Sequence, residues 1–254
     1  MRFSIRCLSL SATAMLLLGS SSIATGRDVM EIVERSRQAM TLGTDMRADV
    51  VFALANARGE RIQWTGSYYR RNQPDTRVRL VLDAPADLRG IEVVTRPTRE
   101  GVSSTRLYLP SLRRVRELVA DMRGESFLGT DFNYEDLGFQ QLEYAQYSLG
   151  ESTDPGDRGC YRVDAVPQRG WWYGRISSCI DRKTFLPMRT EYYDRNGVLW
   201  KVRTIDRVET FKARPTPTVI TMKTVPSGTS TTITLSRVQY DTGLSDVLLE
   251  APHD

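Results

Sequence analysis

Apolar residues in this 254-residue chain recur at two spacings, and the change from one to the other divides it. Over residues 28–40 the interval is three or four: Val29, Ile32, Val33, Ser36 and Met40 fall on one face, with Glu34, Arg35 and Arg37 on the other. That spacing predicts an amphipathic helix that lays one stripe on a sheet. Asp28 and Glu31 have the spacing of a capping box at its start, and Gly43 follows as the stop. From Met46 onward the interval is two. Ala48, Val50, Phe52 and Leu54 point one way, and Ile62, Trp64, Gly66 and Tyr68 resume the alternation after Ala57-Arg58-Gly59. A three-residue loop with Gly last opposes Leu54 to Ile62 and Phe52 to Trp64. A two-residue turn would set Phe52 against Thr65, so the apolar pattern selects the longer loop.

The same pattern predicts strands over residues 77–82, 91–95, 105–109, 112–119, 144–149, 160–166, 172–180, 188–193, 198–205, 219–225 and 231–238. About a dozen strands after one helix, with turn residues at short spacing, is the profile of a mainly β chain folded as an antiparallel barrel or sandwich. Arg195-Asn196-Gly197 repeats the Gly-last loop and pairs Tyr192 with Trp200 and Glu191 with Lys201. A two-residue turn at Arg169-Gly170 opposes Cys160 to Cys179, Asp164 to Arg175 and Val163 to Ile176. Opposed strand residues have Cα atoms about 4.5 to 5.5 Å apart, which predicts a Cys160–Cys179 disulfide. Residues 245–249 read as one helical turn closing the sheet.

The least ordinary stretch runs from Tyr108 to Gly138. Tyr108-Leu109-Pro110 ends one strand of a tight hairpin, and the next strand carries Arg113, Arg114 and Arg116. Ser126-Phe127-Leu128-Gly129 then places an apolar pair on a loop. Phe127 and Leu128 serve either as a flap over a cavity or as a plug folded inward. Asn133 reads as the N-cap of a one-turn helix, Asp136 as its reciprocal acceptor and Gly138 as its stop, with Phe132 and Leu137 as a hydrophobic staple.

Residues 1–24 have the form of a cleavable signal peptide: Arg2 and Arg6, an apolar run from Leu8 to Leu18, then Ser22-Ile23-Ala24. The run is shorter than the roughly 18 residues of a membrane span, and Cys7 precedes it, where it cannot become a lipid-bearing first residue. Export places the chain in an oxidising compartment, where a disulfide persists. Residues 25–254 then form a single domain, and loss of Arg2 and Arg6 takes the formal charge from +4 to +2, a balance that gives no reason to expect nucleic acid. His253 is the only histidine and sits in the chain's last residues, a poor place for a nucleophile pair or a metal site. Asp131, Glu135 and Asp136 lack the ligand spacing of a calcium loop and read better as helix-capping charges. We expect no catalysis, no metal and no cofactor. The alternating Arg114 and Arg116 form either a solvated strand face or a site for an acidic partner, and the aromatic residues form either an ordinary core or a cargo cavity.

Leu107-Tyr108-Leu109-Pro110, the Arg-rich strand and Ser126-Phe127-Leu128-Gly129-Thr130-Asp131-Phe132-Asn133-Tyr134-Glu135-Asp136-Leu137 resemble the signature of the LolA-like outer-membrane lipoprotein-sorting protein family. The resemblance is strongest over residues 28–140. It implies a half-open antiparallel β-barrel with the N-terminal helix across its concave face and a hydrophobic cavity between them. It implies a periplasmic carrier that binds a lipid or acylated molecule, lipoprotein acyl chains included, and passes it to or from an inner-membrane RND-type transporter, with an outer-membrane acceptor as a further candidate. A lipoprotein-sorting carrier and a non-transporting adaptor of an envelope complex are the alternatives. On this reading Phe52, Trp64, Tyr68, Leu107, Leu109, Phe127, Leu128, Phe132 and Trp200 contact lipid, and Arg114 and Arg116 meet the partner.

Overall fold

The computed structural model describes residues 26–97, 103–118, 124–137, 145–150, 159–167 and 172–250. The expected leader, Gly138, the Arg169-Gly170 turn and His253 lie outside the described residues. Helix α1 spans Gly26–Met40, so it begins two residues before the expected start, and Asp28 sits in its first turn rather than at the cap. A carboxylate there still favours the positive end of the helix. Its stripe of Val29, Ile32 and Val33 packs on Val163 and Ile180, with Tyr147 and Tyr161 at the margin.

Among the described residues thirteen strands follow, and together they make one antiparallel sheet. They are β1 Asp45–Ala55, β2 Arg61–Arg71, β3 Arg77–Ala84, β4 Glu92–Pro97, β5 Ser103–Leu109, β6 Arg114–Leu118, β7 Ala145–Leu149, β8 Cys160–Pro167, β9 Arg175–Asp181, β10 Pro187–Tyr193, β11 Leu199–Phe211, β12 Arg214–Thr224 and β13 Thr229–Tyr240. A one-turn helix, α2, covers Tyr134–Leu137. The spatial order is β6-β5-β4-β3-β2-β1-β13-β12-β11-β10-β9-β8-β7. Two meanders, β1 to β6 and β7 to β13, are therefore stitched along β1 and β13, and the sheet does not close: β6 and β7 are its edges. The chain between those edges, which includes α2, must pass from one to the other. Among the described residues no helix is long and apolar enough to cross a membrane.

The first hairpin has the expected register, Phe52 against Trp64 and Leu54 against Ile62, with Gly59 left-handed (φ 81°) at the end of the loop. Ile62 is nevertheless 59% exposed, because the core does not reach the tip of the hairpin. Gly66 lets β2 approach β3 without a side chain between them: a Cβ there would lie 2.2 Å from the Val81 carbonyl oxygen, and the register shifts beside it. Gly197 ends the 195–197 loop as expected, but Tyr192 pairs with Lys201 and Glu191 with Val202. A bulge accounts for the one-residue difference: Tyr193 opposes Leu199, and Trp200 is the extra residue. The Cys160–Cys179 disulfide forms, with Cα atoms 5.4 Å apart, yet Cys160 opposes Asp181 and Cys179 opposes Arg162. The expected pairing is thus off by two residues. A slip of two leaves every side chain on its face, so the cysteines meet diagonally.

The core lies on the concave face. Val50, Phe52, Trp64, Leu80, Leu82, Ile91, Val93, Leu107 and Leu118 form its largest cluster, joined by Phe127 and Tyr134 from the segment that leads to β7. After β13 the chain is tied back by Asp45, whose carboxylate accepts from the Thr242 N–H (2.7 Å) and hydroxyl (2.8 Å), Gly243 N–H (2.8 Å) and Leu244 N–H (3.2 Å). Val247–Leu249 is a 3-10 turn with Leu249 fully buried, and Arg79 Nη1 donates to the Leu248 carbonyl at 2.7 Å.

Candidate functional site

The loop before α2 is folded inward. Ser126 bridges to Asn133, the Phe127 N–H donates to the Phe132 carbonyl at 2.8 Å, and the Thr130 N–H donates to the Phe127 carbonyl at 2.9 Å. Phe127 has 0% exposure, with its ring 5.8 Å from Phe52, 6.3 Å from Trp64 and 5.5 Å from Tyr134. Leu128 is half-buried in the left-handed region (φ 48°). Asp131 fastens the loop to the far meander: its carboxylate accepts from Thr224, Thr229 and Thr231 at 2.6, 2.5 and 2.7 Å. Buried Lys201 donates from Nζ to the Asp131 carbonyl at 2.6 Å. Burial pulls the Lys201 ammonium below its usual pKa, against the opposing pull of Asp136 and Asp131. Asp136 Oδ2 accepts from the Asn133 N–H at 2.8 Å, the reciprocal half of the expected capping box, and Phe132 and Leu137 meet in one cluster as the staple requires. The observed arrangement is the plug.

Beneath this plug, between α1 and the concave face, lies a cavity of about 290 Å³. Its wall is mainly apolar, with Val33 and Met40 from α1, Phe52, Tyr68, Val93, Ile176, Ile220, Ile233 and Leu235 from the sheet, and Phe132 and Leu137 from the plug. Tyr147 also lines it, and burial pushes its hydroxyl up to about 12. Arg37, Arg70, Asp136, Ser178, Thr190 and Arg203 interrupt that wall.

Of the residues expected to contact lipid, Phe52, Tyr68 and Phe132 line the cavity. Trp64, Leu107 and Phe127 are buried in the cluster beside it, and Leu109 and Leu128 pack on that cluster's margin. Trp200 packs on Tyr173 at 5.5 Å and lies under Lys201 Nζ at 4.9 Å. These six are brought together as support around the chamber rather than as its lining. Arg114 and Arg116 are exposed on edge strand β6, opposite Leu109 and Leu107. Asp136 acts as the cap, Asp131 holds three threonines, and no group of three or more His, Cys, Asp or Glu among the described residues is placed to hold a metal ion. Sequence reasoning missed Lys201, Arg203 and Thr190. The available signal was phase: Lys201 and Arg203 alternate with Ile205 on the inward side of β11, where charge is unusual.

A family model described as "Uncharacterized protein" matches residues 74–251, more than half of the chain. The chain belongs to that family. Solved structures place this chain by fold. A DUF1329 family protein from Desulfovibrio piger is 25% identical with TM-score 0.80, the match covering 88% of this chain and 96% of that one. A domain described as an outer membrane lipoprotein-sorting protein, from Vibrio parahaemolyticus, is 21% identical with TM-score 0.80 over 88% and 96%. A LolA superfamily protein from Nitrosomonas europaea is 16% identical with TM-score 0.70 over 88% and 97%. No curated protein matches the sequence. The fold is thus LolA-like, an open antiparallel sheet with an N-terminal helix.

Proposed function

We propose that the protein is a periplasmic carrier that holds a lipid or acylated molecule in the chamber between α1 and the sheet, and that it makes and breaks no bond. The observation that carries this reading is the cavity itself, a mostly apolar space of about 290 Å³ inside an open sheet rather than a filled core. The fold shared with a LolA superfamily protein and with a domain described as lipoprotein-sorting supports it. Each buried methylene contributes about 0.8 kcal/mol, so one alkyl chain is held firmly in water yet passes readily to an acceptor of similar apolarity. In this reading Phe52, Tyr68 and Phe132 touch the chain, and the surrounding aromatic cluster keeps the chamber's shape. The proposed partner is an inner-membrane RND-type transporter, met through Arg114 and Arg116, with an outer-membrane acceptor at the other end of the route. Lipoprotein as cargo is the second reading, favoured by the description of the Vibrio domain.

A vesicle assay tests the proposal. The protein should extract a fluorescent single-chain lipid from donor vesicles, elute with it in a soluble fraction, and deliver it to acceptor vesicles without nucleotide. Failure to extract any such lipid, by a protein that still docks on a membrane partner, would identify an adaptor instead.

A further inference from the structure

One row of paired positions departs from the apolar wall. The registers set Met222 opposite Arg203, Arg203 opposite Thr190, Thr190 opposite Ser178 and Ser178 opposite Val163. Arg203, Thr190 and Ser178 therefore stand side by side on β11, β10 and β9, and all three line the cavity. Arg203 Nη2 donates to Thr190 Oγ1 at 3.2 Å, and Ser178 Oγ donates to the same oxygen at 3.3 Å. With both acceptor sites of that oxygen used, the Thr190 O–H is left to donate.

Arg203 Nε is buried without a hydrogen-bond partner, and among the described residues no carboxylate forms an ion pair with this guanidinium. The other cations of the wall are engaged: Arg37 with Glu34 at 2.6 Å, and Arg70 Nη1 with the Met40 carbonyl at 2.7 Å. The wall's carboxylate, Asp136, accepts from the Asn133 N–H. A guanidinium keeps its charge and offers five donors in a planar fork. Holding it in an apolar wall against one neutral acceptor is costly, and an oxyanion presented to the fork would offset that cost.

We propose that Arg203, with Thr190 beside it, receives the acidic headgroup of a single-chain amphiphile whose alkyl chain fills the cavity. This assignment rests on the carrier reading and narrows its cargo. The ligand class is a compact oxyacid, a carboxylate or a phosphate monoester, on one alkyl chain. A volume of about 290 Å³ lies at the lower end of the roughly 300 to 1,000 Å³ typical of small-ligand pockets, which suits one chain and not a multiply acylated cargo.

The test compares three ligands of one chain length on delipidated full-length mature protein: hexadecanoate, its methyl ester and hexadecyl phosphate, each below its micelle concentration. Affinity is read by competition with an uncharged fluorescent acyl probe. The wild-type protein should bind one or both acids roughly ten- to hundredfold more tightly than the ester, the span given by a charge-assisted hydrogen bond. Which acid leads identifies the headgroup. Arg203→Met should bind the ester normally and lose the preference, and Arg203→Lys, which keeps charge without the fork, should retain only part of it. Equal binding of acids and ester by the wild type overturns the headgroup assignment and leaves the carrier reading standing. An undiminished preference in Arg203→Met overturns it as well. Binding of none of the three overturns the carrier reading and this assignment together. If Arg203→Met does not fold, equal binding by the wild type still overturns the assignment, and Arg203→Lys, which should keep only part of the preference, carries the test of the residue.

Discussion

Replacing Phe127 by Ala would remove a ring with no exposed surface that packs on Phe52, Trp64 and Tyr134 at 5.8, 6.3 and 5.5 Å. A buried Phe cut back to Ala destabilises a domain by about 3 to 5 kcal/mol, from lost burial and from the cavity that remains. Contacts with three aromatic partners put this site near the middle of that range or above it. The loop relaxes only partly, because Asp131 and Lys201 hold its far side. We therefore expect a loss of about 4 kcal/mol, a large part of the roughly 5 to 15 kcal/mol that stabilises a typical domain. In urea, with a slope of about 2 to 3 kcal/mol per molar, the midpoint should fall by roughly 1 to 2 M. Leu128→Ala, at a half-buried position, serves as the control and should cost about 1 kcal/mol or less. A Phe127→Ala protein within about 1 kcal/mol of wild type, but unable to retain lipid, would refute the plug and restore the flap.

Four further outcomes follow from the same structure. Removing the Cys160–Cys179 bond, which closes a loop of sequence separation 19, should cost about 3 kcal/mol in a melt, and the unreduced denatured protein should show no reactive thiol from either residue. Asp45→Asn should cost about 1 to 2 kcal/mol at neutral pH and make stability less sensitive to acid. Burial would raise the Asp45 carboxyl, but hydrogen bonds from Thr242, Leu244 and Gly243 outweigh it and hold its pKa below the ordinary value. Its contribution is therefore present above the unfolded value of about 4 and is lost as pH falls through the lower folded one; a melting curve against pH that is identical in both proteins would contradict this. Gly66→Ala would press a methyl group into the Val81 carbonyl, and a chemical denaturation curve should show a loss of about 1 to 3 kcal/mol. Reversing Arg114 and Arg116 to Glu should leave lipid content unchanged but slow binding to an acidic partner surface, with the defect shrinking at high salt.

Local pattern carried far in this chain because its meanders pair neighbours in sequence. The alternation through Phe52 and Trp64 fixed that hairpin, and the spacing of Asn133 and Asp136 pointed to the Asp136 half of the cap of α2, whereas the Asn133 side chain turns to Tyr173 and Lys201 instead of to the N–H groups of the helix. Two registers moved for reasons that local pattern does not express. Trp200 became a bulge residue, and the Cys160 and Cys179 strands slid by two, which no alternation of faces can detect. The stitching of β1 to β13 joins strands nearly 200 residues apart, with Met46 against Tyr240, and left no local signature. Within the site, aromatic residues drew attention because they are large and apolar, yet Trp64, Phe127 and Trp200 support the chamber from behind. Arg203 resembled the other arginines of a strand-rich, arginine-rich chain until its neighbours Thr190 and Ser178 were placed beside it in space.

Native mass spectrometry of residues 25–254, purified without detergent, tests the proposed carrier function most directly. The protein peak should be accompanied by one carrying a single small amphiphile, released by solvent extraction and restored by incubation with vesicles that contain it. A protein that is ligand-free on purification and still ligand-free after incubation with lipid vesicles would contradict the account.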